Sequence, residues 1–201
     1  MKMMFAVLMV LMAAVVPARA DSPVEGRSGR AEVRFLEGMI DHHQMALDMA
    51  QDCLAKAQTE SIQTVCQNII DTQSAEIELM RGWLLAWYNI DYAPMPMSEM
   101  MGMMGEGDDH SGHGGHNTDG PFTDPAMMMG MFAGFNRLEG VEYEIAWLES
   151  MIDHHDDALH MAERILRRAQ HEEVITLANT ILEVQTAEIE QMEALIAELG
   201  G

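Results

Sequence analysis

From residue 28 onward, apolar side chains recur at steps of three and four. With 100° per residue counted from Met39, the residues Leu36, Met39, Ala46, Ala50, Cys53, Leu54 and Ala57 fall within ~60° of one line. Asp41, Asp48 and Asp52 fall away from it. The spacing predicts an amphipathic helix over 28–57. After a break at Gln58–Glu60, the residues Ile62, Cys66, Ile69, Gln73, Ile77, Met80 and Leu84 share the inner face of a second helix. That helix is expected to fail before Pro94, because the residue preceding a proline disfavours helical geometry. The pattern then returns, with one helix predicted from Leu138 to Ala169 and another from Glu172 to Leu199, stopped at Gly200.

The return is a true repeat. Residues 35–84 and 147–196 align without a gap and agree at 23 of 50 positions, including Met39–His43 against Met151–His155 and Ala75–Glu78 against Ala187–Glu190. Self-similarity at this scale marks a duplicated structural unit. Two half-apolar hairpins must bury their stripes against each other, so the expected fold is all-α. It is a four-helix bundle of two duplicated helical hairpins joined by a long Met/His/Gly-rich crossover. In an antiparallel hairpin, facing residues share a constant index sum. A sum of 119 sets Cys53 opposite Cys66, His43 opposite Glu76 and Met39 opposite Met80. A sum of 343 sets His155 opposite Glu188 and Met151 opposite Met192. Cys53 and Cys66 are therefore expected to form a disulfide, the alternative being two small buried thiols.

The chain's start carries different information. Lys2, the apolar run Phe5–Val16 and Ala18-Arg19-Ala20 form the pattern of a secretory signal peptide cut after Ala20. Its apolar run is shorter than the ~20 residues a membrane span needs. The product is expected in the periplasm or outside the cell, with no membrane insertion after cleavage. The implied organisation is a signal peptide at 1–20, a first hairpin at 21–89, a crossover with a short helix at 90–136 and a second hairpin at 137–201. Removing Lys2 and Arg19 leaves 9 of the 11 bases against 33 acids, a net charge of −24. Such a surface repels phosphate backbones, which argues against nucleic-acid binding, and attracts cations.

Histidine and methionine then change the picture. His43 and His155 lie on the apolar midlines of their helices, with Glu76 and Glu188 at matching levels and Gln73 and Gln185 one turn away. His42 falls on the flank beside Met45 and Met49, and His154 is its counterpart. A buried imidazole needs partners for both ring nitrogens. Two readings fit: satisfied His–Glu pairs that set the bundle's register, or metal ligation by these side chains with the thioethers of Met39, Met80, Met151, Met192, Met49 and Met161. The crossover is more specific. Met95, Met97, Met100, Met101, Met103, Met104, Met127, Met128, Met129 and Met131 crowd into mostly non-core sequence, with His110, His113 and His116 between them. Thioethers are soft ligands that prefer Cu(I) and Ag(I), whereas imidazole accepts Cu(I), Cu(II) or Zn(II). The crossover's Asp124-Pro125 step predicts a short helix through Met127–Met131.

No Gly-rich phosphate loop, Ser/His/Asp arrangement or His-Glu-x-x-His motif occurs. Di-iron bundles need a Glu-x-x-His on each of two helices. The nearest match, Asp157-Ala-Leu-His160, is present in one copy only.

The motifs Met39-Ile-Asp-His-His-Gln44 and Gln73-Ser-Ala-Glu-Ile-Glu-Leu-Met80 resemble those of the exported, ferritin-like four-helix proteins of the domain of unknown function 305 family. The resemblance is carried by Phe35–Ala50 and Gln73–Leu84 and covers both repeats, about half the chain. Some members of that family are linked to copper binding and copper tolerance. The resemblance implies roles for Met39, His42, His43, Gln73, Glu76 and Met80 and for their second-copy counterparts. One departure is Asp156-Asp157, which stands where the first copy has Gln44-Met45. The functional expectation is a periplasmic protein that sequesters or delivers Cu(I), with Ag(I) or Cu(II) as further ions and copper-efflux or copper-chaperone proteins as partners. A metal-dependent redox enzyme (a cuprous oxidase or di-metal type) and a purely structural or partner-binding bundle are the alternatives.

Overall fold

The computed structural model describes residues 22–94, 134, 135 and 137–200. Four long helices carry them: α1 at Gly26–Lys56, α2 at Glu60–Tyr88, α3 at Gly140–Ile165 and α4 at Glu172–Leu199. Each buries one stripe, as the three-and-four spacing requires. α1 packs along α2, α3 packs along α4, and the two hairpins meet through α1 and α3. Among the described residues no helix is long and apolar enough to cross a membrane. The signal segment with its Ala20 cut, and the short helix expected at Met127–Met131, lie outside the described residues.

α2 stops before Pro94, as expected, and the limits read at Leu138 and Ala169 shift inward to Gly140 and Ile165. α2 ends at Tyr88, six residues before Pro94, because Asn89 adopts the left-handed conformation at φ 56° and ψ 37°. Asparagine tolerates that region, and the Ile90 amide then folds back to donate to the Leu84 carbonyl at 3.1 Å. The segment beyond α2 is tied down by its own contacts. Arg81 Nε donates to the Tyr92 carbonyl at 2.7 Å, and the Tyr92 hydroxyl donates to Asp41 at 2.6 Å. α3 ends at Ile165 rather than Ala169, since residues 166–168 tighten into turns.

What sets those turns is a reciprocal exchange between the halves. Glu32, fully buried near the start of α1, accepts the amides of Gln170 (2.7 Å) and His171 (3.0 Å), just ahead of α4. Glu144 near the start of α3 accepts the amides of Gln58 and Thr59, each at 2.8 Å, just ahead of α2. These four amides head helices that have no side-chain cap of their own. Each hairpin thus closes the other's turn, and α1 and α3 must run in opposite directions. Glu32 also takes hydrogen bonds from the Tyr88 hydroxyl and His171 Nδ1, both at 2.6 Å, and His171 stacks on Trp87 at 3.9 Å.

The core falls into two lobes. One gathers the C-terminal half of α1 with the first turns of α2 and α3, around Met49, Cys53, Ile69, Trp147 and Met151. The other gathers Phe35, Met39, Met80, Leu84 and Trp87 with Ala158, Val174 and Ile181. Trp147 is anchored by its indole N–H, which donates to the Met49 carbonyl at 2.9 Å. Leu54 sits 36% exposed instead of on the inner face, although Leu36 at the same angle of the helix is fully buried. Cys53 and Cys66 are bridged across the first hairpin. The bridge closes a short loop, 13 residues apart in sequence, which constrains the unfolded chain. Replacing both cysteines by alanine should therefore cost about 3 kcal/mol, read as a lower midpoint in urea. An unchanged midpoint would show that the helices alone set the hairpin.

Candidate metal centre

Between the two lobes lies a polar stratum made by His42, His43, Gln73, His154, His155 and Gln185, all buried. Adjacent residues on a helix point 100° apart, so His42 and His43 need covering from two sides. α2 covers His43 and α3 covers His42. This second contact moves His42 from the flank, where α1 alone would put it, into the molecule's centre with 1% exposure. There it stacks against His154, its repeat counterpart, with ring centroids 3.6 Å apart and planes tilted by 40°.

His43 Nε2 lies 2.6 Å from the Glu76 carboxylate, and His155 Nε2 lies 2.9 Å from Glu188. A carboxylate accepts, so Nε2 is the donating nitrogen in both rings and Nδ1 is the nitrogen left over. His154 Nε2 likewise donates to the His42 backbone carbonyl at 3.1 Å, which leaves its Nδ1 bare. Among the described residues, the Nδ1 atoms of His43, His154 and His155 have no hydrogen-bond partner, and neither ring nitrogen of His42 has one. Both polar atoms of Gln73 and Oε1 of Gln185 are also unpaired. Burial pushes His42 and His154 well below the ordinary imidazole value, and the neighbouring imidazoles press the same way. Both rings are held neutral, the form that ligates a metal. Glu76 and Glu188 remain 21% and 16% exposed, so each carboxylate spans from solvent to a buried ring.

The thioethers border this stratum. Met39 and Met80 are fully buried in one lobe, and Met49, Met151 and Met192 are fully buried in the other. Met45 is almost buried beside Met49, whereas Met161 is only partly covered. Among the described residues, no three His, Cys, Asp or Glu side chains already converge as a cluster able to hold an ion. Sulfur ligands, or a small rotation of the rings, would have to complete any set. Met95, Met97, Met100, Met101, Met103, Met104, His110, His113, His116, Met127, Met128, Met129 and Met131 lie outside the described residues. The sequence reading overlooked the roles of Glu32 and Glu144. Their spacing equals that of the two His-His pairs, so extending the repeat three residues upstream would have found them.

The profile of a family described as a domain of unknown function, DUF305, matches residues 32–196. CopM in its Cu(II)-bound form is similar in structure, at 28% identity and a TM-score of 0.60 over 83% of this chain and 96% of that one. CopM in its Ag-bound form is 25% identical over 85% of this chain and 98% of that one, with a TM-score of 0.60. A DUF305 protein from Streptomyces coelicolor is 28% identical over 85% of this chain and 93% of that one, with a TM-score of 0.63. No curated protein sequence matches the chain.

Proposed function

Because this chain belongs to the DUF305 family across both of its repeats, we propose that it is an exported copper-binding protein whose mid-bundle stratum takes up Cu(I) and, by the same chemistry, Ag(I). The observation that carries the reading is the row of buried imidazole nitrogens without partners: His42 Nδ1 and Nε2, and Nδ1 of His43, His154 and His155. Leaving such groups unpaired in a core costs about 1–3 kcal/mol each, so a fold that needed them only for register would satisfy them. A cation repays that cost directly. The likeness to CopM, which has been seen with Cu(II) and with Ag, supports copper and silver as the metals; the preference for the monovalent copper ion rests on the thioethers.

Each residue then has a role. The Nδ1 atoms and the sulfurs of Met39, Met80, Met151 and Met192 supply soft donors suited to a monovalent d¹⁰ ion. Glu76 and Glu188 hold the His43 and His155 rings by their far nitrogens, which fixes the tautomer and raises the basicity of Nδ1. Because His42 and His154 are already neutral, an arriving ion displaces little or no proton from them at neutral pH. The methionines and histidines of 95–131 act as collectors, since an ion can gather two or three sulfurs from thioethers so closely spaced in sequence. Export and the acidic surface place the protein where it buffers copper or hands it to efflux or chaperone partners.

Titration of the purified protein against a chromogenic Cu(I) chelator tests this. The whole protein should strip copper from the chelator, and a variant lacking residues 95–131 should retain the bundle's share of the stoichiometry. Competition no better than that of an unrelated protein of equal negative charge would remove the function.

A further inference from the structure

The start of α1 carries a feature that copper uptake does not use. Arg27, Arg30 and Arg34 stand at i, i+3 and i+7, all exposed, on one face about 10 Å long. They are three of the nine bases that remain after residue 20, beside 33 acids. None of the three makes an ion pair with a described residue. The first turn of α1 contains no acid, and Glu25 at the N-cap is the one carboxylate beside the stripe among residues 22–31. Beside the stripe opens a cavity of about 280 Å³ walled by Val24, Val33 and the Tyr88 ring, with Arg30 and Arg34 at its edge. Gly29 also lines it, and has no room for a side chain because a Cβ would overlap the Val24 carbonyl oxygen.

The repeat supplies an internal control. The positions in α3 that correspond to Arg27, Arg30 and Arg34 hold Glu139, Glu142 and Ala146, and Gly29 corresponds to Val141. The bundle therefore folds its second half without arginines at this place, so the fold does not demand them. Five-donor guanidinium forks with no acid to hold are suited to bidentate capture of carboxylates.

We propose that this groove docks an acidic segment of a partner protein, with carboxylates on Arg27, Arg30 and Arg34 and one apolar side chain in the cavity beside Tyr88. A cavity of this size fits a side chain, whereas a flat anionic bilayer would leave it empty and would face the remaining negative charge of the body. That same charge repels an acidic partner everywhere else, so docking is confined to the start of α1.

The test uses metal-free protein and so stands apart from the copper reading. Fluorescence anisotropy of a labelled Glu-Glu-Glu-Leu-Phe-Glu-Glu-Glu peptide in low salt should give saturable, micromolar binding. Arg30→Glu with Arg34→Glu should weaken it at least tenfold, while Arg167→Glu with Arg168→Glu, the same charge change at the α3–α4 turn, should leave it within twofold. Absence of saturable binding, or equal loss in both variants, overturns the proposal. So does Arg30- and Arg34-dependent binding to phosphatidylglycerol vesicles with none to the peptide.

Discussion

Replacing Glu32 by alanine is expected to destabilise the protein by about 4 kcal/mol, since it strips several buried donors of one shared acceptor. The amides of Gln170 and His171, the Tyr88 hydroxyl and His171 Nδ1 would all lose their partner at once. Glu144→Ala removes the equivalent anchor from Gln58 and Thr59 at the opposite end of the bundle. The two sites share no partners, so the double variant should approach the sum of the single effects. Urea midpoints of the four proteins measure this. A loss below about 1 kcal/mol for Glu32→Ala would mean that water replaces the carboxylate without cost.

The same residue sets a response to acid. Burial on its own would raise the Glu32 carboxyl, but the Gln170 amide, the Tyr88 hydroxyl and His171 outweigh it and hold the group below its ordinary value of 4.5. A depressed carboxyl gives stability that is complete above the unfolded value and is lost as pH falls through the folded one. The gap in stability between the native protein and Glu32→Gln should therefore narrow as the solution is acidified below about pH 4.5. A gap independent of pH would show that the carboxylate's charge is immaterial.

A second expected result runs against the usual effect of core substitutions. His42→Leu combined with His154→Leu should make the metal-free protein more stable by about 1–3 kcal/mol and at the same time remove copper from the bundle. The gain follows from replacing unpaired buried nitrogens by apolar atoms of similar size. The loss follows from removing the two rings that face each other where α1 meets α3. The pH profile carries the sign. Both imidazoles are depressed in the folded state, so the unfolded chain takes up their protons first. Native stability should thus be complete above about pH 6.5 and fall below it, and the leucine variant should lose that slope. If the variant is instead less stable and binds copper as before, the stratum is a register device and the copper sites lie elsewhere.

Much of this arrangement is legible in the order of residues. The antiparallel index sums pair His43 with Glu76 and Cys53 with Cys66, because a hairpin of two regular helices has only one register that buries both stripes. The place of His42 is not legible in that way. A helical wheel shows the flank on which it lies but not which other helix will cover that flank. Only the pseudo-twofold meeting of α1 with α3 makes the flank an interior. Glu32 and Glu144 escape for a different reason. A glutamate near a helix start reads as solvated, and its use as an acceptor for a turn more than eighty residues away is a tertiary fact. The end of α2 is similar, since Pro94 is the louder stop signal and Asn89 the effective one.

The crossed carboxylates bear on ancestry. A solitary copy of the repeated segment would present an idle acid at one tip and bare amides at the other, and only a second copy laid head to tail could answer both. The smallest self-sufficient object in this lineage is accordingly a pair. Two copies laid together in that way would already complete each other, so the peptide that joins them is not what closes the turns.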